Sequence, residues 1–228
     1  MRDPATSVSA AVASRRSIRA FTDEPVDPAQ LRTILAKAQR SASGGNVQPW
    51  EVSVLSGAAL ERLIAAVAAR QAMGLAGLQP EYAIYPDRLP DPWLARRYGV
   101  ASAMYGALGI ARDDRAARDA AMAANFAAFG APVLLFLHTP RFMGPPQWGD
   151  MGMWLATTCL LLREAGLDSC AQEAWAMYGA TVREQLGIGD DRILWTGLAI
   201  GHADMTAPVN RFDVPRAPLD EVVRWLTE

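Results

Sequence analysis

The segment at positions 148–165 constrains the fold most, because it is apolar on nearly every side of the helix that its residues predict. Such a helix has no face suited to water. We therefore expect it in the centre of the core or in an interface between subunits. Gly166 follows directly and predicts the end of the helix, since glycine readily adopts the left-handed conformation of a helix C-terminus.

The rest of the chain predicts a few strands among many helices. Two uninterrupted apolar runs, at 132–138 and 193–200, have the length of strands buried on both faces. Two shorter strands are predicted at 51–55 and 167–172. Further helices are predicted at 27–41, 58–73, 113–129 and 180–186, and a short one before them ends at Arg15 and Arg16. No repeat or linker divides the chain, so we expect one α+β domain over 1–228.

The stretch at 74–105 differs in character, because four prolines stand among aromatic residues there. Rigid turns that carry aromatic side chains are typical of a lid or insertion over a binding site, and a long packed connection is the alternative. Both interpretations stay open at this point. The last part, 202–228, predicts an extended C-terminal arm that finishes in a small helix around Val222 and Trp225.

The charge balance argues against partners that are polyanions. The 22 basic and 24 acidic residues give a net charge of −2 and a pI near 5.8, so no global field attracts nucleic acid or an anionic membrane. Lys37 is the only lysine of the sequence. A mechanism that needs a Schiff-base lysine or a phosphate-loop lysine is therefore nearly excluded.

Targeting segments and redox cysteines are not indicated either. The first residues hold no apolar core of signal-peptide length, and no run reaches the length of a membrane span. Cys159 and Cys170 lie in apolar stretches without the close spacing of a zinc or redox motif, which predicts buried reduced thiols. These features indicate a cytoplasmic protein.

Several common catalytic motifs are missing from the sequence. It contains no GxGxxG, GxSxG, HExxH or Walker motif. Its two histidines, His138 and His202, stand apart from obvious partners, and His138 ends a predicted buried strand. The sequence therefore gives little support for a dinucleotide-binding site, a hydrolytic triad or a metal site built from histidines. We expect no bound metal.

The run Arg15-Arg16-Ser17-Ile18-Arg19 is the first candidate binding element. In an extended chain Arg15, Ser17 and Arg19 point to the same side, so they can converge on one anion. A guanidinium fork matches two phosphate oxygens, which indicates phosphate binding. The alternative is a solvated basic patch, since short basic runs are common on surfaces.

The run at 43–50, SGGNVQPW, is the second candidate element. Its two glycines permit a close approach of the backbone to a ligand. Asn46 and Gln48 each offer a donor and an acceptor to a planar heterocycle or a polyol. By itself the run is also typical of an ordinary turn, and Trp50 is typical of a core residue.

Four motifs in order carry a resemblance to a known family. RRSIRAF is followed by SGGNVQPW, then by GLDSCAQEAW after the long central helix, and then by GHAD and PVNRFDVPRAPLDE near the C-terminus. Over 10–225 the chain strongly resembles the FMN-dependent nitroreductase family. The stretch at 74–105 resembles the longer insertion of the branch that reduces nitrobenzoate and nitrobenzamide.

The resemblance implies a nitroreductase-like α+β fold, with a central mixed or antiparallel sheet flanked by helices, in an intertwined homodimer. Two FMN molecules would lie at the subunit interface. The residues that would hold the flavin phosphate and the polar atoms on the pyrimidine side are Arg15, Arg16, Ser17 and Arg19, with Arg216 also at the phosphate. The residues expected from the neighbouring subunit are Ser43, Gly44 and Asn46. The residues expected to line the isoalloxazine are Ala171, Gln172, Glu173 and Ala174, with backbone N–H groups near Glu173 and Ala174 facing its N5.

The implied activity is an NAD(P)H-dependent oxidoreductase that reduces nitroaromatic or quinone-like acceptors by a ping-pong mechanism, with hydride transfer through flavin N5. Because the flavin performs this chemistry, no catalytic side chain is required. Trp93, Tyr98 and Tyr105 are the candidates for contact with a small aromatic acceptor. Two alternatives remain: a relative that fragments its own flavin or removes halogen from an aromatic compound, and a non-enzymatic binding protein, which the acidic pI disfavours.

Overall fold

The computed structural model describes residues 2–227, and its centre is an antiparallel sheet. The strands are β1 (Glu51–Ser56), β2 (Val133–Pro140), β3 (Asp168–Gln172) and β4 (Arg192–Gly201). They form a four-stranded sheet in the order β1-β2-β4-β3, and each neighbouring pair is antiparallel. The helices are α1 (Val8–Ser14), α2 (Pro28–Ala38), α3 (Gly57–Gln71), α4 (Trp93–Ala107), α5 (Arg115–Ala123), α6 (Pro145–Glu164), α7 (Gly179–Leu186) and α8 (Leu219–Val222). Helices on both sides of a sheet confirm the predicted α+β fold.

Strand β2 lies inside the sheet, and its side chains alternate between two cores. Leu134 and Phe136 point into one core, where the ring of Phe136 meets Trp175 edge-on with 5.5 Å between centroids. Leu137 points into the other core, which also holds Trp154 of α6. All five side chains are fully buried. Burial on both faces explains the uninterrupted apolar run, since each such side chain stabilises the fold by about 1.5–3 kcal/mol.

Helix α6 packs one face into the core, which is one of the two places expected for it. Met151, Trp154 and Leu162 are fully buried against the sheet and α2. Met153 lies on another face and remains 44% exposed. Beyond the helix, Gly166 has a φ of 78°, which is the left-handed conformation expected of it.

The stretch at 74–105 contains more regular structure than its prolines predict. Turns occupy its first part, but α4 then runs from Trp93 to Ala107 as a helix of 15 residues. Pro92 stands just before this helix, where a proline is compatible with helical structure. None of the residues of α4 is buried, so no apolar periodicity revealed the helix in the sequence.

Two other boundaries also differ from prediction. Helix α5 covers only Arg115–Ala123, because the chain turns into a 3₁₀ segment, Ala124–Gly130, that contains left-handed residues at Ala128 and Phe129. The terminal helix α8 covers Leu219–Val222 and does not include Trp225. The arm that leads to it contains one short 3₁₀ turn, Pro208–Asn210.

Candidate functional site

A pocket of about 860 Å³ opens where the end of α1, helix α6, strand β3 and the C-terminal arm meet. This volume falls within the usual range for small-molecule sites. Its polar lining includes Arg15, Arg16, Ser17, Arg19, Asp213 and Arg216. Its apolar lining includes Val100, Leu155, Ala156, Cys159, Leu160, Ala171, Val209 and Phe212. The pocket therefore has a cationic part and an apolar part, as a ligand with a phosphate and an aromatic ring requires.

The local backbone explains how the arginine run reaches this pocket. Helix α1 ends at Ser14, and Arg15 already has an extended conformation. Ser17 forms a parallel bridge with Ser169 of β3, and the N–H of Ile18 donates to the Ser169 carbonyl at 3.1 Å. The side chain of Ile18 is fully buried, which directs Ser17 and Arg19 to the opposite side. The structure thus brings together Arg15, Ser17 and Arg19 as the alternation predicts, and it adds Arg16.

The C-terminal arm closes the pocket through contacts with the same run. The guanidinium of Arg16 donates to the carbonyl of Phe212. The backbone N–H of Arg19 donates to Oδ1 of Asn210 at 2.7 Å. Asn210 is almost completely buried, and its Nδ2 donates to the carbonyls of Ala20 and Asp204 at 2.7 and 2.8 Å.

Asn210 is a positioning residue that the sequence analysis did not single out. Its one signal in the sequence is a place inside the PVNRFDVPRAPLDE motif, between prolines that favour an irregular backbone. Arg216, from the same motif, lines the pocket and is exposed to solvent. Its guanidinium donates within the arm, to the carbonyls of Val214 and Pro215 at 2.9 and 3.3 Å.

The electrostatics of the pocket differ from those of the whole chain. The described residues that line it include four guanidinium groups and one carboxylate, that of Asp213, although the chain as a whole carries a net charge of −2. Arginine forks recognise phosphate oxygens in pairs. A local cationic cluster of this kind suits a terminal phosphate better than a polyanion.

The four residues of the segment Ala171–Ala174 differ in their position relative to the pocket. Ala171 is exposed and lines the pocket. The amide of Gln172 is buried on the other side, where Nε2 donates to the Asn125 carbonyl at 2.7 Å and Oε1 accepts from Nε1 of Trp175 at 3.3 Å. Partial burial raises the pKa of the Glu173 carboxyl. Ala174 is half-buried and packs against the core. Of the four residues, only Ala171 lines the pocket within the single chain, and the Gln172 side chain points away from it.

Ser43, Gly44 and Asn46 do not line this pocket within their own chain. They lie in a loop with a short 3₁₀ turn, Gly44–Asn46, in which Gly45 and Asn46 both have φ near 57°. The N–H of Gly44 lies 3.2 and 3.3 Å from the two carboxylate oxygens of Asp150 on α6. The loop is exposed, so it is free to face another molecule.

Helix α4 forms part of the pocket wall through Val100. The three aromatic residues predicted for acceptor contact do not line the pocket of the single chain. Trp93 and Tyr98 are more than half exposed, and Arg118 lies over the ring of Tyr105 with 5.0 Å from Cζ to the centroid. Arg96 of the same helix pairs with Glu221 of α8 at 2.7 Å, which ties α4 to the C-terminal arm.

Both cysteines of the chain are free thiols, and both lie close to this site. Cys159 lines the pocket, and burial raises its pKa. Burial also raises the pKa of Cys170 to about 11. Over residues 2–227 we find no group of three or more metal-ligating side chains and no helix with the length and apolarity of a membrane span.

The chain is similar to a family of known proteins. The model of the nitroreductase family matches residues 12–202. The nitrobenzene nitroreductase of Ectopseudomonas oleovorans is 31% identical over 217 residues, which cover 95% of this chain and 96% of the relative. The crystal structure of the FMN and NADPH-dependent nitroreductase NfnB from Sphigopyxis sp. strain HMH is 61% identical, with a TM-score of 0.96, and covers 97% of this chain and 100% of its own.

A second solved structure is more distant in sequence but similar in fold. The FMN-dependent nitroreductase NfnB from Mycobacterium smegmatis, in complex with NADPH, is 32% identical with a TM-score of 0.92, over 96% of this chain and 97% of its own. The family model covers most of this chain, and the relatives match over nearly their whole length. The chain therefore belongs to the nitroreductase family.

Proposed function

We propose that this protein is a homodimeric, FMN-dependent NAD(P)H oxidoreductase that reduces nitroaromatic or quinone-like acceptors. One observation carries the proposal: Arg15, Arg16, Arg19 and Arg216 line one pocket together with Ser17. Apart from Asp213, the rest of its wall is mainly apolar. The relatives support it, since the Sphigopyxis protein is described as FMN and NADPH-dependent and the Ectopseudomonas protein as a nitrobenzene reductase.

The residues of the pocket fit FMN by their chemistry. The guanidinium groups and the Ser17 hydroxyl suit the phosphate and the polar edge of the pyrimidine. Leu155 and Ala156 of α6 provide an apolar surface for an aromatic ring system. The sequence lacks a dinucleotide-binding fingerprint, which favours FMN over FAD.

A second copy of the chain is expected to complete the site. Apolar side chains of α1 and α6 are exposed in the single chain, among them Val8, Val12 and Met153. Val47, at the tip of the loop that holds Ser43, Gly44 and Asn46, is also exposed. Obligate dimer interfaces resemble a core cut in half, so we assign these residues to a homodimer interface at which the loop reaches the flavin of the partner.

The protein supplies binding and orientation, and the cofactor supplies the redox chemistry. Bound FMN would supply the hydride chemistry through its N5 atom, and a ping-pong order would let NAD(P)H and the acceptor use the same pocket in turn. The backbone N–H groups near Glu173 and Ala174 would face N5, and the arginines would favour negative charge on the reduced ring. Helix α4 and the turns before it would cover the pocket, with Trp93, Tyr98 and Tyr105 next to the acceptor.

Two measurements test this proposal. The purified protein should be yellow and release FMN, about one molecule per chain, and steady-state rates with NADPH and 4-nitrobenzoate should give the parallel reciprocal plots of ping-pong turnover. FMN should remain intact through sustained turnover. Release of FAD, consumption of the flavin, or intersecting plots would contradict the proposal.

Because both thiols are free, we place the enzyme in the cytoplasm.

A further inference from the structure

The loop at 43–48 has a backbone that depends on support from its surroundings. Gly45, Asn46 and Gln48 have left-handed φ values of 57°, 57° and 51°. This region is unfavourable for residues with a Cβ, so Asn46 and Gln48 adopt it only because other contacts hold them there. Asn46 and its neighbour Val47 are exposed at the tip of the loop.

Hydrogen bonds within the loop define its shape. Oγ of Ser43 accepts the Gln48 N–H at 3.0 Å, and the Ser43 carbonyl accepts the Asn46 N–H at 3.0 Å. Nε2 of Gln48 donates to the Asn46 carbonyl at 3.1 Å. These contacts join loop residues to one another, so they do not fix the direction in which the loop points from the rest of the molecule.

The carboxylate of Asp150 connects the loop to α6. Its two oxygens lie 3.2 and 3.3 Å from the Gly44 nitrogen, and the side chain is only 6% exposed. None of the ion pairs found among residues 2–227 includes Asp150. A buried carboxylate without a basic partner depends on hydrogen-bond donors, and here the N–H of Gly44 is the donor that lies against both of its oxygens.

The position of Asp150 along α6 connects it to the binding site. Gly152, Leu155 and Ala156 of the same helix line the pocket of their own chain. One rigid helix therefore forms a wall of one pocket and, through Asp150, holds the loop that the proposed dimer directs toward the pocket of the other chain.

We propose that Asp150 is a positioning residue for the shared flavin site, which it serves by holding the Ser43–Asn46 loop against α6 so that Asn46 reaches the flavin of a second copy. This inference rests on the proposed function. Asp150 itself does not touch the ligand, so its effect depends on the loop.

Two substitutions at Asp150 separate the hydrogen bond from the packing. Asp150→Asn keeps an oxygen that accepts the Gly44 N–H, whereas Asp150→Leu has similar volume and no acceptor. We expect Asp150→Leu to weaken FMN binding to the apoprotein by about tenfold or more, and Asp150→Asn by about threefold or less. FMN binding is measured by quenching of flavin fluorescence. Glu164→Leu is the matched control, because Glu164 is an exposed carboxylate on the same helix.

A double-mutant cycle with Asn46→Ala tests whether Asp150 acts through the loop. If it does, Asp150→Leu has little further effect on FMN affinity once the Asn46 side chain is absent, because the two losses are coupled. A purely structural role of Asp150 gives additive losses instead. Additive losses, or an Asp150→Leu variant that binds FMN as tightly as the wild type, would overturn the inference.

Gly44 offers the same test from the loop side if Asp150→Leu does not fold. Gly44→Pro removes the donor N–H, and the extended Ser43 before it is compatible with proline. Gly44→Ala keeps the donor, and its added Cβ meets Asp150 only at an ordinary 3.9 Å. Weaker FMN binding in Gly44→Pro than in Gly44→Ala supports the inference, and equal binding overturns it. If the wild type itself binds no FMN, the proposed function fails, which is a different result from any of these.

Discussion

Asn210 accepts the backbone N–H of Arg19 at 2.7 Å, although 191 positions separate the two residues in the chain. The same amide donates to the carbonyls of Ala20 and Asp204. One buried side chain therefore joins the arginine run to the C-terminal arm that carries Arg216. The geometry of the cationic pocket depends on this connection.

Asn210→Ala should lower both stability and FMN affinity. The substitution leaves three backbone groups without their partner, and a buried unpaired polar group costs about 1–3 kcal/mol. We expect the free energy of unfolding of the apoprotein to fall by about 3 kcal/mol in urea titrations. Gln30→Ala is the control, because the Gln30 amide also bonds a carbonyl but is exposed. Equal stability of the two variants would show that Asn210 does not hold the arm.

Arg216→Ala should weaken FMN binding without affecting the fold. Arg216 is exposed and bonds only nearby carbonyls of the arm, so its removal leaves the core intact. Charge-assisted hydrogen bonds to phosphate contribute about 1.5–3 kcal/mol, so FMN affinity should fall by about ten- to a hundredfold. Arg211→Ala is the control, since Arg211 is exposed in the same arm and does not line the pocket. A similar loss in both variants would remove Arg216 from the site.

His138 should make stability depend on pH. Burial lowers its pKa from the ordinary 6.5, more than the neighbouring Glu51 raises it, while Arg192 also lowers it. The unfolded chain therefore binds this proton at a higher pH than the folded chain does. The contribution of neutral His138 to the stability is complete above about pH 6.5 and is lost as the pH decreases below it. His138→Gln should show a flatter dependence between pH 7 and about 5 in thermal unfolding. An unchanged slope would contradict this assignment.

The aromatic residues of α4 should affect acceptors and not the cofactor. Aromatic pairs contribute about 0.5–1.5 kcal/mol, so Trp93→Ala or Tyr98→Ala should change KM for nitroaromatic acceptors by about two- to tenfold. FMN content should stay the same. Phe142→Ala is the control, because Phe142 is a strongly exposed aromatic residue outside α4. Unaltered kinetics with every acceptor would indicate that 74–105 is a packed connection and not a lid.

The sequence predicts those parts of the fold in which one residue pattern decides the structure. Strand β2 is apolar on both faces because it lies between two cores, and helix α6 is apolar on nearly all sides because it packs against one core and also lines the pocket. The burial of both elements is therefore visible in the sequence. The extended arginine run is predictable from simple alternation, since Ile18 faces the core. Helix α4 is not predictable in this way, because none of its residues is buried.

The supporting contacts of the site are harder to predict from the sequence. Asn210 and Asp150 are single polar residues whose partners, Arg19 and Gly44, lie 191 and 106 positions away. No local periodicity marks such residues. The inward orientation of the Gln172 amide likewise depends on Asn125, which a distant turn supplies. Only the three-dimensional arrangement shows these pairs.

The most direct test of a flavin site shared by two copies combines an Arg216→Ala chain with an Asn46→Ala chain in one tagged heterodimer. If the two residues reach the same flavin from opposite chains, both substitutions fall on one site and leave the other intact. FMN titration of the purified heterodimer should then show one site of wild-type affinity and one strongly weakened site. Two equally weakened sites would show that both residues act within their own chain, which would contradict the proposal of a shared site.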